Sequence, residues 1–253
     1  MPEILETWAP NLANYWSEFT DSLWATLQMF FFSGILSLII GGAIGIGLVI
    51  TRKNNLYPNR IIHTLLEVIT NVCRSVPFII LLIFLIPFTR LITGTAIGVK
   101  GAIVPLVIGC VPFFSRQVES ALSEVDPGKI EAARAMGKSR PNIIWNVYLH
   151  EAVPGLLRAI TITAISLIGL TTAAGAVGAG GIGSFAINYG QNLHYQDIVN
   201  VCVLVLLGLI SLIQLSGNAL SIKASKGKLI RLPKRTTTPD TQSFTLEEES
   251  YEI

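Results

Sequence analysis

Residues 22–51 read SLWATLQMFFFSGILSLIIGGAIGIGLVIT, a run of 30 residues without a side chain that ionises near neutral pH. About 20 apolar residues are enough to cross the hydrocarbon core of a bilayer as an α-helix. Two more long runs follow, 159–196, in which only His194 ionises near neutral pH, and 198–222. A soluble fold cannot bury so much apolar surface, so the sequence predicts an all-α integral membrane protein that crosses the bilayer several times.

The composition agrees with this class and excludes others. Of the 253 residues, 51% are hydrophobic and 13% are charged, whereas about 25% are charged in soluble globular proteins. A net charge of +2 gives no basis for nucleic-acid binding. The three cysteines lie in apolar stretches, and no His or Cys residues stand at ligand spacing. We therefore expect neither a disulfide framework nor a metal site.

The charge-free runs predict five membrane-spanning helices. Two of the runs, 75–89 and 101–115, have only 15 residues each, which is about 22 Å of helix against a hydrocarbon core of roughly 30 Å. Each must therefore recruit flanking residues. One transmembrane domain is expected over 23–222, with helices at about 23–50, 61–88, 99–121, 155–177 and 197–222. Three spans with a re-entrant pair at 78–86 and 104–112 remain an alternative.

Lysine and arginine predict the orientation of these helices. Alternate connections hold 15 basic residues against 2, with Arg74 left inside a helix. The positive-inside rule then places the N-terminus outside and the C-terminus in the cytoplasm. Residues 1–22, which mix acidic and aromatic side chains, are expected to lie at the outer membrane interface. Residues 223–253 are expected to form a cytoplasmic tail, first basic and close to lipid headgroups, then acidic and disordered.

The basic connection at about 122–154 carries the most informative motif. It contains Glu131-Ala132-Ala133-Arg134-Ala135-Met136-Gly137. The residues before Gly137 are mostly strong helix formers, and glycine is the preferred residue just after a helix. Pro141 suits an early position of a second helix. These residues predict a helix, a turn and another helix on the cytoplasmic face, and a surface hairpin without a partner remains open.

The spacing of this motif resembles the EAA coupling loop of bacterial ABC-importer permeases. The matching positions are Glu131, Ala132, Ala133, Gly137, Val147 and Leu149. His150 stands where that family usually has proline, and we expect Pro154 and Gly155 to break the chain before the fourth helix instead. The stretches 74–82, 86–90 and 175–183 are similar to the permease of the methionine importer, and this similarity extends over about 20–221.

The resemblance implies a type I ABC permease fold in the bacterial inner membrane and transport of methionine, in D- and L-forms. It also implies a homodimer, two ATPase subunits inside and a substrate-binding lipoprotein outside. ATP and Mg²⁺ would be bound by the ATPase, since this sequence lacks a phosphate-binding G-x-x-x-x-G-K-[ST] run. The chain itself is then no enzyme and carries no cofactor. A permease for a polar amino acid or a betaine, or a membrane scaffold without transport, remains an alternative.

In such a loop the motif residues would contact the ATPase. Ala132 and Ala133 would permit close approach of the partner, Glu131 would pair with a basic group, and Gly137 would permit the turn.

A glycine-rich segment ends the predicted fourth helix, with Gly175, Gly178, Gly180, Gly181 and Gly183. It matches the dinucleotide fingerprint G-x-G-x-x-G, but that fingerprint requires a βαβ unit. We interpret the segment as a close-packed, hinge-like helix end. The resemblance places it on the translocation path near the outer gate, with simple helix packing as the alternative.

A polar set, Glu67, Asn71 and Arg74, shares one face of the predicted second helix. Ionisable groups inside a span are expensive and usually face an interior. Glu67 and Arg74 are about 10 Å apart along the axis, so Asn71 or a neighbouring helix must bridge any pairing. A structural network near the cytoplasmic interface is expected, with a site for a substrate ion as the alternative.

Overall fold

The computed structural model describes residues 9–229, and it describes side chains from residue 9 to residue 225. This part of the chain is built from helices and contains no β-strand. In chain order the helices are α1 Pro10–Asn14, α2 Trp16–Ile50, α3 Arg60–Ser75, α4 Phe78–Phe84, α5 Ile86–Thr93, α6 Gly98–Ser123, α7 Pro127–Ala135, α8 Arg140–Ala179, α9 Gly181–Phe185 and α10 Gln196–Leu229. Helix α8 contains the π-helical segments Ile144–Leu149 and Gly175–Ala179, and a third, Ala186–Gln191, extends α9.

Helix α6 lies at the centre of the bundle, where α2, α3, α4, α5 and α8 pack against it. Helix α2 approaches it closely through small residues spaced four apart, which are buried: Ser33, Ser37, Gly41 and Gly45. A Cβ atom added at Gly45 would lie 2.6 Å from the carbonyl oxygen of Ser115. This spacing is the small-xxx-small pattern by which membrane helices bring their backbones together. The sequence of α2 thus fixes its packing partner as well as its span.

Among the described helices, α2, α6, α8 and α10 are each long and apolar enough to cross a membrane. The predicted second span, 61–88, is wrong as a single helix, because α3 and α4 are bent by 102° at their junction. Pro77 disfavours helical geometry at the preceding Val76, whose φ of −87° and ψ of 124° are extended. The alternative of a re-entrant pair is also wrong at 104–112, because that stretch lies within α6.

The predicted break at Pro154 and Gly155 is wrong, because α8 continues through both residues from Arg140 instead of beginning at 155. A membrane helix tolerates an internal proline where π-helical geometry and neighbouring helices satisfy the freed backbone groups. The π-helical segment Ile144–Leu149 lies just before Pro154.

Both ends of the predicted domain also differ from expectation. Helix α2 begins at Trp16 instead of 23, so the expected interfacial segment 1–22 contributes its first turns. Helix α10 continues past 222 to Leu229, so the start of the expected tail is helical. The rest of that tail, 230–253, and residues 1–8 lie outside the described residues.

The described residues form three apolar clusters along the bundle. One, around Phe114, Val118 and Tyr148, lies where α7 meets the connection 51–59, and we call this end the basic end. A second, around Met29, Leu106 and Leu167, lies in the middle. The third contains Leu12, Phe19, Ile182, Phe185 and Ile198, where α1 and α9 pack together, and we call this the glycine end. The candidate sites lie at both ends and in the middle.

Candidate functional site

The Glu-Ala-Ala motif lies on α7, which is capped at both ends. Asp126 accepts a hydrogen bond from the backbone N–H of Gly128 at 2.8 Å, and Pro127 occupies the first turn. Gly137 follows the helix with a φ of 72°. The N–H of Gly137 donates to the carbonyl of Arg134 at 2.9 Å, and that of Lys138 donates to Ala133 at 3.2 Å. This is a Schellman motif, so the helix and glycine cap predicted from the sequence are present.

The motif residues divide into a buried and an exposed set. Ala133 is 1% exposed and Val147 is 8% exposed, and both pack with Ile130, Ile143 and Tyr148 in the cluster of the basic end. Leu149 is partly buried against the same cluster. The expectation that Ala133 permits close approach of a partner is therefore wrong, because its small side chain lets α7 pack against α8. Glu131 and Ala132 are exposed.

Polar contacts fasten α7 to the rest of the basic end. Lys129 Nζ lies 2.8 Å from Glu151 Oε2 on α8. Tyr148 donates a hydrogen bond from its hydroxyl to Asn55 Oδ1 at 2.9 Å, which joins α8 to the connection 51–59. We call α7, the turn after it and residues 140–149 the coupling element. Packing and these contacts hold it as one unit.

The exposed face of the coupling element carries large apolar side chains that the sequence reasoning missed. Met136 is 68% exposed and Trp145 is 69% exposed. A cavity of about 230 Å³ between α7 and the connection 51–59 is lined by charged side chains, among them Arg52, Glu131 and Arg134. Exposed apolar groups beside charges are typical of a protein–protein contact surface. A tryptophan within a connection that also carries many charged residues was the signal in the sequence.

A polar cluster joins α3, α6 and the connection 51–59 near the basic end. Arg116 of α6 donates from Nη2 to Asn71 Oδ1 at 2.8 Å, and the same nitrogen lies 3.8 Å from Glu67 Oε1. Its Nη1 lies 2.6 Å from Glu119 Oε2, and Arg52 Nη2 lies 3.2 Å from Glu119 Oε1. Arg116 of the neighbouring helix thus pairs with Glu67 and Asn71, but it does not bridge Glu67 to Arg74. Sequence reasoning missed Arg116 and Glu119 because they belong to a different helix.

Arg74 does not join this cluster. It lies about 10 Å further along α3 than Glu67, and it lines a separate cavity at the bend between α3 and α4. The structure therefore divides the set Glu67, Asn71 and Arg74 into two environments, one paired and one facing a cavity.

The glycine segment is a break in the backbone at the far end of α8. Val177 leaves helical geometry with a φ of −112° and a ψ of 21°. Gly178, Gly180 and Gly181 follow with φ values of 90°, 81° and 79°. Positive φ of this size is readily adopted only by glycine, so these glycines are required by the path of the chain.

The chain then folds back tightly, which explains Gly175 and Gly183. A Cβ atom at Gly175 would lie 2.6 Å from the backbone nitrogen of Ser184, and one at Gly183 would lie 2.1 Å from the carbonyl oxygen of Thr172. Helix α9 is tied to α2, because the N–H of Ile182 donates to Thr26 Oγ1 at 2.8 Å. The segment is a packed turn that links α8, α9 and α2.

A protein family described as the inner membrane component of binding-protein-dependent transport systems matches residues 43–221, which include the polar cluster, the coupling element and the glycine segment. The chain belongs to this family. The all-α permease fold predicted from the sequence is confirmed by this membership and by the structural match given below. Members of this family are membrane components of transport systems, and the matching relatives are permease proteins, not enzymes.

Individual relatives of this inner membrane component are identical to it at close to half of the aligned positions. A probable D-methionine transport system permease protein of Pasteurella multocida is 44% identical over 188 residues, which cover 74% of this chain and 87% of the relative. The D-methionine transport system permease protein of Escherichia coli K12 is 47% identical over 153 residues, covering 60% and 70%. A solved inward-facing structure of the MetNI methionine ABC transporter matches with a TM-score of 0.81 and 42% identity, covering 83% of this chain and 98% of that one.

No group of three or more His, Cys, Asp or Glu residues in the described part of this transport component could hold a metal ion.

Proposed function

We propose that the chain is the permease subunit of an ATP-driven importer that carries methionine, in D- and L-forms, across the bacterial inner membrane. The observation that carries this proposal is the match with the methionine ABC transporter, at 42% identity over 98% of that chain. The D-methionine permeases of several bacteria support the same solute. The coupling element, the polar cluster and the glycine segment all lie within the family match at 43–221.

Coupling to ATP hydrolysis is assigned to the coupling element. Two ATPase subunits, which bind ATP and Mg²⁺, would contact its exposed residues Glu131, Ala132, Met136 and Trp145. The surplus of basic residues at this end supports a cytoplasmic position, with the N-terminus on the outer side. Because α7 is fastened to α8 by packing and by the Lys129–Glu151 pair, a push on α7 also displaces the start of α8.

Helix α8 carries that displacement across the membrane. It has 40 residues from Arg140 to Ala179, which correspond to a length of about 60 Å. Its far end is the glycine segment, which would receive the solute from an external substrate-binding lipoprotein. One helix therefore connects the surface proposed for the ATPase with the segment proposed as the outer gate.

The residues exposed at the bend of α3 and α4 support a homodimer, because they combine an arginine with apolar side chains. Arg74 is exposed in the single chain, next to the exposed apolar residues Ile79, Ile80 and Ile83 of α4. An arginine facing lipid within a span is expensive. A second copy related by a twofold axis would cover this face and enclose a water-filled path beside Arg74.

Transport by the complete complex in proteoliposomes tests this function. The permease is reconstituted with its ATPase and with the external binding protein, and uptake of radiolabelled L- and D-methionine is measured with ATP or with a non-hydrolysable analogue. We expect uptake with ATP and no uptake with the non-hydrolysable analogue. Unlabelled methionine should compete with this uptake, whereas glutamine and glycine betaine should not. Transport of glutamine or betaine instead would assign another solute. An assembled complex that transports none of these solutes would support a scaffold.

A further inference from the structure

A cavity of about 390 Å³ opens at the junction of α3 and α4. Its walls come from this junction, from α6 and from α8, and they include Arg74, Phe78, Phe113, Ser166 and Leu170. The volume falls within the range of about 300–1,000 Å³ that is typical of small-molecule sites. None of these residues belongs to the coupling element or to the glycine segment.

The cavity lies in the middle of the membrane-spanning part. Arg74 is about 21 Å along α3 from Arg60, and Gly109, which also lines the cavity, is about 21 Å along α6 from Ser123. Both starting residues belong to the basic end, so the two helices place the cavity at the same depth. With a hydrocarbon core of roughly 30 Å, this depth lies well inside the bilayer.

Arg74 differs from the other ionisable side chains of the helices that line or adjoin this cavity. Arg116 pairs with Glu67 and with Glu119. The ion pairs found among the described side chains do not include Arg74. A guanidinium within a span requires an anionic or polar partner, and its planar fork matches a carboxylate through two parallel hydrogen bonds.

The other walls suit an apolar side chain. Phe78 and Phe113 present aromatic rings, and Leu81 and Leu170 are aliphatic. A thioether makes favourable contacts with aromatic rings. The combination of one guanidinium with apolar and aromatic walls is complementary to an α-amino acid that has an uncharged, apolar side chain.

We propose that this cavity is a transient binding site for the transported amino acid, in which Arg74 pairs with the α-carboxylate and the two phenylalanines contact the side chain. This inference rests on the proposed function, because it takes methionine as the solute. It adds a selectivity step inside the membrane, after the external protein has released the solute.

Substitution of Arg74 tests the pairing. The permease–ATPase complex is purified without the external protein, and binding of radiolabelled methionine is measured with unlabelled methionine and methionine amide as competitors. We expect the wild type to prefer methionine over its amide, which lacks the carboxylate. Arg74→Gln should weaken methionine binding by about 10- to 100-fold, the loss expected for one charge-assisted pair, and should abolish the preference. Arg74→Lys should recover part of both.

Arg90→Gln is the matched control, since Arg90 is an exposed arginine on α5 that does not line the cavity. It should bind methionine as the wild type does. Should Arg74→Gln fail to assemble with the ATPase, Leu170→Phe provides the second variant. It keeps the arginine, fills the cavity from α8 and should also weaken binding.

The outcomes separate this inference from the proposed function. ATP-driven methionine uptake by the wild type, together with unchanged binding and unchanged preference in Arg74→Gln, overturns the site and leaves the function standing. Equal weakening of methionine and its amide in Arg74→Gln shows a structural role for Arg74 and also overturns the site. A wild type that takes up no methionine overturns both.

Discussion

Replacement of Gly137 by valine is expected to uncouple the permease from its ATPase. Gly137 ends α7 with a φ of 72°, and a Cβ atom at this position would meet nothing within 4 Å. Any effect of a larger residue therefore comes from backbone strain and not from a clash. Asparagine, which tolerates left-handed geometry, is the matched control.

The size of the effect follows from this geometry. Left-handed backbone costs an ordinary residue about 1–2 kcal/mol, and a β-branched residue is a stronger outlier there. At about 1.4 kcal/mol per factor of ten, the closed turn becomes roughly 5- to 30-fold less populated relative to open forms. Helix α7 itself should stay attached, because Ala133 remains buried and Lys129, which pairs with Glu151, lies about two turns before the substitution.

Two measurements check this reasoning, co-purification of the ATPase and ATP-driven uptake by the same preparation. We expect Gly137→Val to insert normally and to lose uptake, by up to about 30-fold where the open forms dominate, while Gly137→Asn stays close to the wild type. Wild-type coupling in the valine variant would refute the role of the turn. An equal loss in the asparagine variant would show that the side chain, and not the backbone, matters.

Four further outcomes are expected. Glu131→Lys reverses an exposed charge on the coupling element and should reduce both ATPase co-purification and uptake without affecting membrane insertion, whereas unchanged values would remove Glu131 from the contact. Thr26→Val removes the acceptor of a buried backbone N–H of α9 and should destabilise the chain by about 1–3 kcal/mol; thermal unfolding in detergent should show this, with Thr26→Ser near the wild type. Arg116→Gln removes the ion pairs with Glu67 and Glu119, although Arg52 stays beside Glu119; it should lower the unfolding temperature more than Arg116→Lys does and should cost less than the roughly 3–5 kcal/mol of breaking a fully buried pair. A cysteine at Gln191 should react with an impermeant reagent from outside and one at Lys138 should not; the reverse pattern would contradict the orientation.

The membrane class and the family were predictable because each depends on a constraint that is local in sequence. The charge-free run 22–51 is longer than a bilayer requires, and no soluble fold offers an alternative for it. The Glu-Ala-Ala spacing depends on a short helix and its glycine cap, which are determined by neighbouring residues. The membrane class could thus be derived without any knowledge of packing, whereas the family followed from the resemblance of this spacing to a known motif.

The two prolines were misread in opposite directions, and the reason is tertiary. Pro77 was placed inside a helix and bends the chain by 102°, whereas Pro154 was expected to break a helix and lies within α8. Whether proline breaks a membrane helix depends on which groups satisfy the backbone atoms that it frees. Those groups belong to neighbouring helices, so the pattern of residues around each proline does not specify the outcome.

Ala133 shows a different limit of reasoning from the sequence. The spacing of this residue indicated that it is buried, but not what it is buried against. Ile130 and Ala133 are three residues apart and share one face of α7, which indicated a buried stripe. The motif nevertheless suggested an alanine at the partner's surface. The structure buries both residues within the chain, so the motif preserves the attachment of α7 to α8 as much as its contact surface.

In the proposed mechanism, α8 has three functions at three depths. Its start belongs to the coupling element, Ser166 and Leu170 line the cavity beside Arg74, and its end at Gly178 begins the break at the glycine end. A rigid displacement of α8 would therefore change the surface for the ATPase, the cavity wall and the glycine segment in one movement. The π-helical segments Ile144–Leu149 and Gly175–Ala179 lie at the two ends of this helix, and such segments are common at functional sites. Local adjustment is thus concentrated at the two ends, and the cavity wall between them moves as part of a regular helix.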